Sequence, residues 1–310
     1  MVLSAAGCLL RRNMRRCRSR DAGGAGGEAR KPDVMRDHAP AMSGAPTSAG
    51  SSRSSVFDAA ASRFDRHRAL PEGVPETIRA AVLAAAKIPS PRLLDLGAGT
   101  GRIGRAFVAA GDDYVGIDLS LGMLREFAGR VALPPLAQAD GERLPFADGA
   151  FDAVLMVQVF GGMRGWRRVL AEARRVLRPG GVLATGRVVT PVDGLDARLK
   201  QRLVELCAER GVAMERRNVR EDVERSLGDT ATRRTMTVAT WSAERTPRRF
   251  LDRQRTAARF ALLPESVKQD ALAALAGWAI STFGSLDAAV REQHAFALQF
   301  HEFPPGAAHA

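Results

Sequence analysis

Three carboxylates and a run of glycines carry the first chemical signal in the chain. Asp95-Leu96-Gly97-Ala98-Gly99-Thr100-Gly101 follows the apolar pair Leu93-Leu94, Asp118 closes Tyr114-Val115-Gly116-Ile117, and Asp140-Gly141 follows Leu136-Ala137-Gln138-Ala139. Glycines at 97, 99 and 101 let a backbone turn tightly and approach a ligand with no Cβ in between. Asp118 lies 23 residues past Asp95, at the end of the next apolar run, a spacing at which a carboxylate can accept both hydroxyls of a ribose. Asp140 is placed for the exocyclic amine of an adenine, with Leu119 and Met123 available for the faces of its ring. Each acid alone reads more simply as a solvated helix cap. Their joint spacing points to a nucleoside.

Arg102 narrows the choice of nucleoside. A dinucleotide fingerprint needs its third glycine at that position, where the pyrophosphate sits, and this chain has a bulky cation there. A ligand without phosphates, such as the methyl donor S-adenosylmethionine, lets Gly101 close the turn instead. Methyl transfer from a sulfonium is an in-line displacement, so the main task is holding nucleophile and methyl together. A general base is needed only where the nucleophile carries a proton. His67, His294 and His301 are the candidates, read as surface or partly buried side chains; nothing ties them to the turn, and no base is assigned.

Those residues need a scaffold that brings strand ends together. Short apolar runs at 93–96, 114–118, 136–139, 151–157 and 182–185 alternate with helical periodicity at 102–110, 121–130 and 166–177. That alternation predicts βαβ units and a doubly wound parallel sheet, with ligands at the carboxyl ends of the strands. Ahead of it, 56–64 and 76–87 read as helices, the second with Ile78, Val82 and Ala85 inward. Beyond it, helices are expected at 195–210, 219–227, 247–260 and 264–283, and strands at 235–241 and 296–300.

Four blocks in order now carry a family resemblance. They are Leu93 to Gly101, Val115-Gly116-Ile117-Asp118-Leu119-Ser120, Ala139-Asp140-Gly141-Glu142-Arg143-Leu144-Pro145-Phe146 and Val176-Leu177-Arg178-Pro179-Gly180-Gly181. Over residues 57–187 the chain resembles the class I S-adenosylmethionine-dependent methyltransferases, in particular the small-molecule group related to quinone-biosynthesis C-methyltransferases. The resemblance implies a Rossmann-like seven-stranded sheet with an antiparallel last strand. It implies that Asp95, Gly97, Ala98, Gly99 and Gly101 hold the methionine moiety, Asp118 the ribose, and Asp140 with Gly141 the adenine. It also implies that the segment from Phe57 to Arg68 closes over the donor and that Gln158 contributes backbone contacts. Two departures stand out: Phe64 where the family often has Tyr, and Gln158-Val159-Phe160 where it often has His.

Composition sets the remaining bounds. The chain has 310 residues, 45% hydrophobic and 26% charged, as in ordinary globular proteins. Its net charge of +12 comes half from residues 1–55, and only Lys31, Lys87, Lys200 and Lys268 among 46 basic residues are lysines. With no long basic run after residue 55, nucleic-acid binding by the folded part is not expected. Cys8, Cys17 and Cys207 make neither a disulfide framework nor a metal site, which fits a reducing cytoplasm. No apolar run is long enough for a membrane span. Residues 1–55 are expected to be a disordered basic tail and linker, and 56–310 one methyltransferase domain. Within it, 56–187 would bind the donor, 188–292 would form a helical insertion over the acceptor, and 293–310 the last strand and tail. Leu203, Leu206, Phe260, Trp278 and Phe283 in the insertion read mostly as core, with a lining for an apolar acceptor as the alternative, and Arg216, Arg217, Arg233 and Arg234 read as a solvated face, with attraction of an acidic acceptor as the alternative. The expected activity is methylation of a small molecule. The alternatives are an RNA or protein methyltransferase, or a protein that binds S-adenosylmethionine without turnover.

Overall fold

The computed structural model describes residues 57–303 apart from 59–60, 63, 66–67, 133, 161–164, 215–218, 229–230, 255–259 and 261–262, all within the unit Ser54–Ala310. Seven strands form one sheet in the order β3-β2-β1-β4-β5-β7-β6. The strands are β1 Leu93–Leu96, β2 Tyr114–Asp118, β3 Leu136–Gln138, β4 Phe151–Val157, β5 Leu177–Val189, β6 Thr232–Arg245 and β7 Val290–Glu302. β1 to β5 pair in parallel, and β7 runs antiparallel between β5 and β6. The central strands are short and buried on both faces, so all four residues of β1 are covered.

The helices are α1 Val74–Ala86, α2 Gly104–Ala109, α3 Leu121–Ala128, α4 Trp166–Val176, α5 Leu195–Glu209, α6 Val219–Gly228, α7 Pro247–Gln254 and α8 Glu265–Phe283. Gly73 at φ 79 and a proline in the first turn start α1. Ser120 caps α3 by accepting from the Met123 amide at 3.2 Å. On one face of the sheet α1, α2 and α3 pack Ile78, Val82, Phe107 and Phe127 against Leu93, Leu155, Phe296 and Phe300. On the other, α4 and α6 pack Trp166, Val169, Val223 and Leu227 against Leu94, Val154 and Leu183. A third core joins α5, α7 and α8 through Leu199, Leu203, Phe250 and Leu275.

Three expectations change. The segment 188–292 is not one helical insertion: β6 lies inside it as a strand of the sheet, and α6 packs with α4, leaving α5, α7 and α8 as the added helical layer. β6 and β7 are also far longer than the runs at 235–241 and 296–300, because their paired ends are built from charged residues such as Arg233, Arg245, Arg291 and Glu302. Such residues hide strand periodicity, yet they suit an edge ribbon that must not pair further. Lastly, β5 begins at Leu177 and includes Arg178-Pro179-Gly180-Gly181, with a register shift opposite Phe151 and Ala153. The arginines Arg216 and Arg217 and residues 1–55 lie outside the described residues. Arg233 and Arg234 are exposed, as expected of a solvated face.

Candidate functional site

Strand order reverses at β1, which has β2 on one side and β4 on the other, so a crevice opens at their carboxyl ends. The glycine turn sits there. The amides of Gly97 and Ala98 both donate to the Ile117 carbonyl at 2.9 Å, which pins the turn to β2. Gly97, Gly99 and Gly101 take φ values of 83, 57 and 77, a left-handed conformation that costs other residues energy. A Cβ on Gly101 would lie 2.4 Å from the Phe127 ring, and one on Gly97 2.4 Å from Val159. At Gly99 the nearest atom to an added Cβ is 4.0 Å away, so that side of the turn is open.

Asp118 faces the turn from the end of β2. Its Oδ2 accepts from the Gly99 amide at 2.9 Å and its Oδ1 from the Ser120 amide at 2.8 Å. Burial pushes this carboxyl above its usual range, and the amides of Ser120, Gly99 and Leu119 oppose the shift. A carboxylate has about four acceptor positions, more than these amides fill, so capacity remains for a ribose hydroxyl. The oriented acid beside an open glycine backbone therefore fits a nucleoside.

Asp95 turns inward instead. It is 4% exposed and accepts from the Tyr114 hydroxyl at 2.8 Å. Burial raises its pKa to about 7, against the pull of that hydrogen bond. Nothing in the sequence marked Tyr114, an aromatic at the start of an apolar strand, as a partner for an acid. Of the other expected residues, Ala98 and Met123 are buried, and the half-buried Leu119 accepts from Gln138 Nε2 through its carbonyl at 2.9 Å. Asp140 is exposed at the end of β3 and accepts from the Glu142 amide at 2.9 Å, while Gly141 packs against Leu96 and Val169.

Four described residues between 57 and 68 reach these elements. Asp58 accepts from Ser120 Oγ at 2.5 Å and from the Gly122 amide at 2.7 Å. Asp65 accepts from the Thr100 hydroxyl and pairs with Arg130. These two acids were not singled out in the sequence, since their partners are 35 or more residues away. Arg102 completes the closure: it donates to the Arg68 carbonyl at 2.5 Å and to Gln158 Oε1 at 2.8 Å. Gln158 itself is held at φ 55, with its amide on the Gly186 carbonyl at 3.1 Å. Phe64, in place of the family's Tyr, lies under two cations, 4.3 Å from Arg68 and 5.6 Å from Arg102.

The histidines require a correction. His294 and His301 are 1% and 0% exposed, not surface or partly buried. His294 has both ring nitrogens engaged, with Arg245 at 3.0 Å and Glu292 at 3.3 Å. His301 pairs with Leu183, toward the strand end opposite the turn, and neither ring nitrogen has a hydrogen-bond partner among the described residues. His67 lies outside the described residues. Among the described residues no group of acids, histidines and cysteines could hold a metal, Cys207 is a buried free thiol, and no helix is long and apolar enough to cross a membrane.

The result is a Rossmann-like doubly wound sheet whose glycine turn faces an acid on the neighbouring strand. Residues 94–185 match the family described as a methyltransferase domain. Over these residues the chain is similar to S-adenosylmethionine-dependent methyltransferases. The chain is 40% identical to a demethylmenaquinone methyltransferase from Parafrankia sp., over 44% of this chain and 63% of that one. It is 43% identical to one from Corynebacterium urealyticum, over 34% and 44% respectively. The match thus spans about half the length of these curated relatives. Among solved structures, a putative type II methyltransferase from Anaeromyxobacter dehalogenans shares 22% identity, covering 73% of this chain and 97% of that one at a TM-score of 0.49.

Proposed function

We propose that the chain transfers a methyl group from S-adenosylmethionine to a small-molecule acceptor by in-line displacement. One observation carries the reading: Asp118 is oriented by Gly99 and Ser120 amides next to the open side of the glycine turn. In this reading Asp118 receives the ribose hydroxyls, Asp140 and Gly141 border the adenine with Leu119 and Met123, and Gly97, Ala98, Gly99 and Gly101 pass the methionine moiety. Asp95 sets the charge beneath the turn, and Gln158 and Arg68 form the wall on the acceptor side. The donor, when bound, supplies an electrophilic methyl on a positively charged sulfur.

The protein's own contribution is geometry and exclusion of water. The segment 57–68, tied down by Asp58 and Asp65, covers the donor, and the Arg102–Gln158 bridge holds the end of β4 beside the turn. Both ring nitrogens of His294 are engaged by Arg245 and Glu292, and His301 sits on β7 opposite Leu183, so the reading assigns no general base. The helical layer of α5, α7 and α8 borders the acceptor, residues 1–55 stand apart from the chemistry, and cysteine usage supports a cytoplasmic location. The relatives' names specify demethylmenaquinone for those proteins; under half of this chain is shared with them, so their acceptor is not assigned here. Incubation of the purified protein with methyl-labelled donor and fractionated small-molecule extract tests the reading. Label should move into a small acceptor and not into RNA or protein; transfer into either macromolecule, or into nothing with donor bound, would contradict it.

A further inference from the structure

One residue beside the glycine turn has a strained backbone that no helix cap accounts for. Gln158 follows Val157, the last residue of β4, and has a φ of 55. Among the described residues the only other non-glycine with a positive φ is Lys87, which closes the end of α1, where that conformation is ordinary. A left-handed backbone costs a side-chain-bearing residue energy, and such residues gather where a protein aims a group at a ligand. Three contacts fix the position. The Gln158 amide donates to the Gly186 carbonyl on β5 at 3.1 Å, and Arg102 Nη2 donates to the side-chain Oε1 at 2.8 Å. The next residue, Val159, lies so close to the glycine turn that a Cβ on Gly97 would meet it at 2.4 Å.

The Arg102 contact decides which way the side chain faces. A guanidinium only donates, so the atom it meets must be the amide oxygen and not the amide nitrogen. The Nε2 group is thereby turned away from Arg102, and among the described residues no acceptor takes it. Gln158 is exposed, so this NH2 is presented at the carboxyl end of β4, beside the crevice. Two effects suit it to an oxygen. Donation into Oε1 polarises the amide and strengthens its N–H groups. The charge of Arg102, itself anchored on the Arg68 carbonyl, favours negative charge nearby. An ammonium group brings only donors, and here it would meet donors and a cation.

Resting on the methyl-transfer reading, we infer that the side-chain amide of Gln158 is a specificity-determining group that donates to an anionic oxygen of the acceptor and so orients it. The donor's own α-carboxylate is the competing source of the same chemistry, and the experiment separates the two. Calorimetry on the full chain saturated with S-adenosylhomocysteine would compare 4-nitrophenolate with nitrobenzene, which keeps the ring but lacks the anionic oxygen. The same titrations on Gln158→Glu and Gln158→Met follow, and each protein alone is titrated with S-adenosylhomocysteine and with 5′-methylthioadenosine, which lacks the carboxylate. Gln158→Glu keeps the side-chain length and the Arg102 bridge but exchanges the NH2 donor for an oxygen, so a merely structural Gln158 would tolerate it. The inference expects the parent to favour 4-nitrophenolate over nitrobenzene by at least about tenfold. Gln158→Glu should lose at least about tenfold in 4-nitrophenolate affinity and shift nitrobenzene by less than about twofold, as for loss of one hydrogen bond to a charged group. Gln158→Met carries the same expectation and serves should Gln158→Glu not fold. Three results would overturn the inference alone. They are a saturated parent that binds neither probe or both alike, a Gln158→Glu protein that holds 4-nitrophenolate within about twofold of the parent, and a variant that loses S-adenosylhomocysteine but not 5′-methylthioadenosine. A parent that does not bind S-adenosylhomocysteine at all would bring down the methyl-transfer reading first, and this inference with it.

Discussion

Asp118→Asn isolates the contact on which the donor site depends. The carboxylate already accepts two backbone amides, from Gly99 at 2.9 Å and Ser120 at 2.8 Å. The asparagine side chain is the same size and keeps one acceptor oxygen, so it can retain one amide but must present an NH2 group to the other. The turn is also pinned independently by the Gly97 and Ala98 amides on Ile117, so the fold should survive. What disappears is the charge offered to two ribose hydroxyls. A hydrogen bond to a charged group is worth about 1.5–3 kcal/mol, so losing two costs about 3–6 kcal/mol, less whatever the asparagine recovers, and the lower half of that range is the one expected. At about 1.4 kcal/mol per decade, affinity for S-adenosylhomocysteine should fall by about two to three orders of magnitude. Calorimetric titration of both proteins, with matched melting curves as a folding control, reads this directly. An Asn variant that melts like the parent and binds within about threefold of it would refute the reasoning.

Gly101→Ala should lower stability by about 2–5 kcal/mol, from a left-handed φ of 77 and a Cβ set 2.4 Å from the Phe127 ring; a fall in the urea midpoint checks it. Asp95 carries a folded pKa of about 7 against an unfolded value of 3.8, so the folded state holds more protons in between. Its contribution therefore favours folding at low pH and is lost as pH rises from about 4 through about 7; unfolding of Asp95→Asn, compared with the parent at pH 5 and pH 8, should show a weaker decline. His301 has the opposite sign: its folded pKa of about 4 lies below the usual 6.5, first because it is buried. Stability from that site is present above about pH 6.5 and is lost as pH falls. Replacing it by leucine removes two buried nitrogens without partners, so His301→Leu should be neutral or stabilising and should flatten the acid limb of a melting-temperature profile.

The sheet strands and the glycine turn were legible because their signals are local. Leu93-Leu94 before the glycines, Asp118 at one strand end and Asp140 at the next all report on backbone that is fixed within a few residues. What the sequence hid lies in pairs far apart along the chain. Tyr114 on Asp95, Asp65 on Thr100 and Arg102 on Gln158 are 19 to 56 residues apart, and no periodicity announces them. Arg102 was legible as an obstacle to pyrophosphate but not as a bridge between two chain segments. The β6–β7 ribbon failed to show its length because charged residues at its ends serve solvent and neighbours rather than a core. The histidines failed for the converse reason: a polar residue on an apolar strand gives no sign of whether it finds a partner, as His294 does, or finds none, as with His301.

The central claim is that this glycine turn holds S-adenosylmethionine and not a dinucleotide. Titration of the purified full chain with S-adenosylhomocysteine and, separately, with NADH tests it most directly. The account predicts one site per chain for S-adenosylhomocysteine, with an affinity on the order of micromolar, and no heat from NADH. Binding of NADH, with none of S-adenosylhomocysteine, would contradict it.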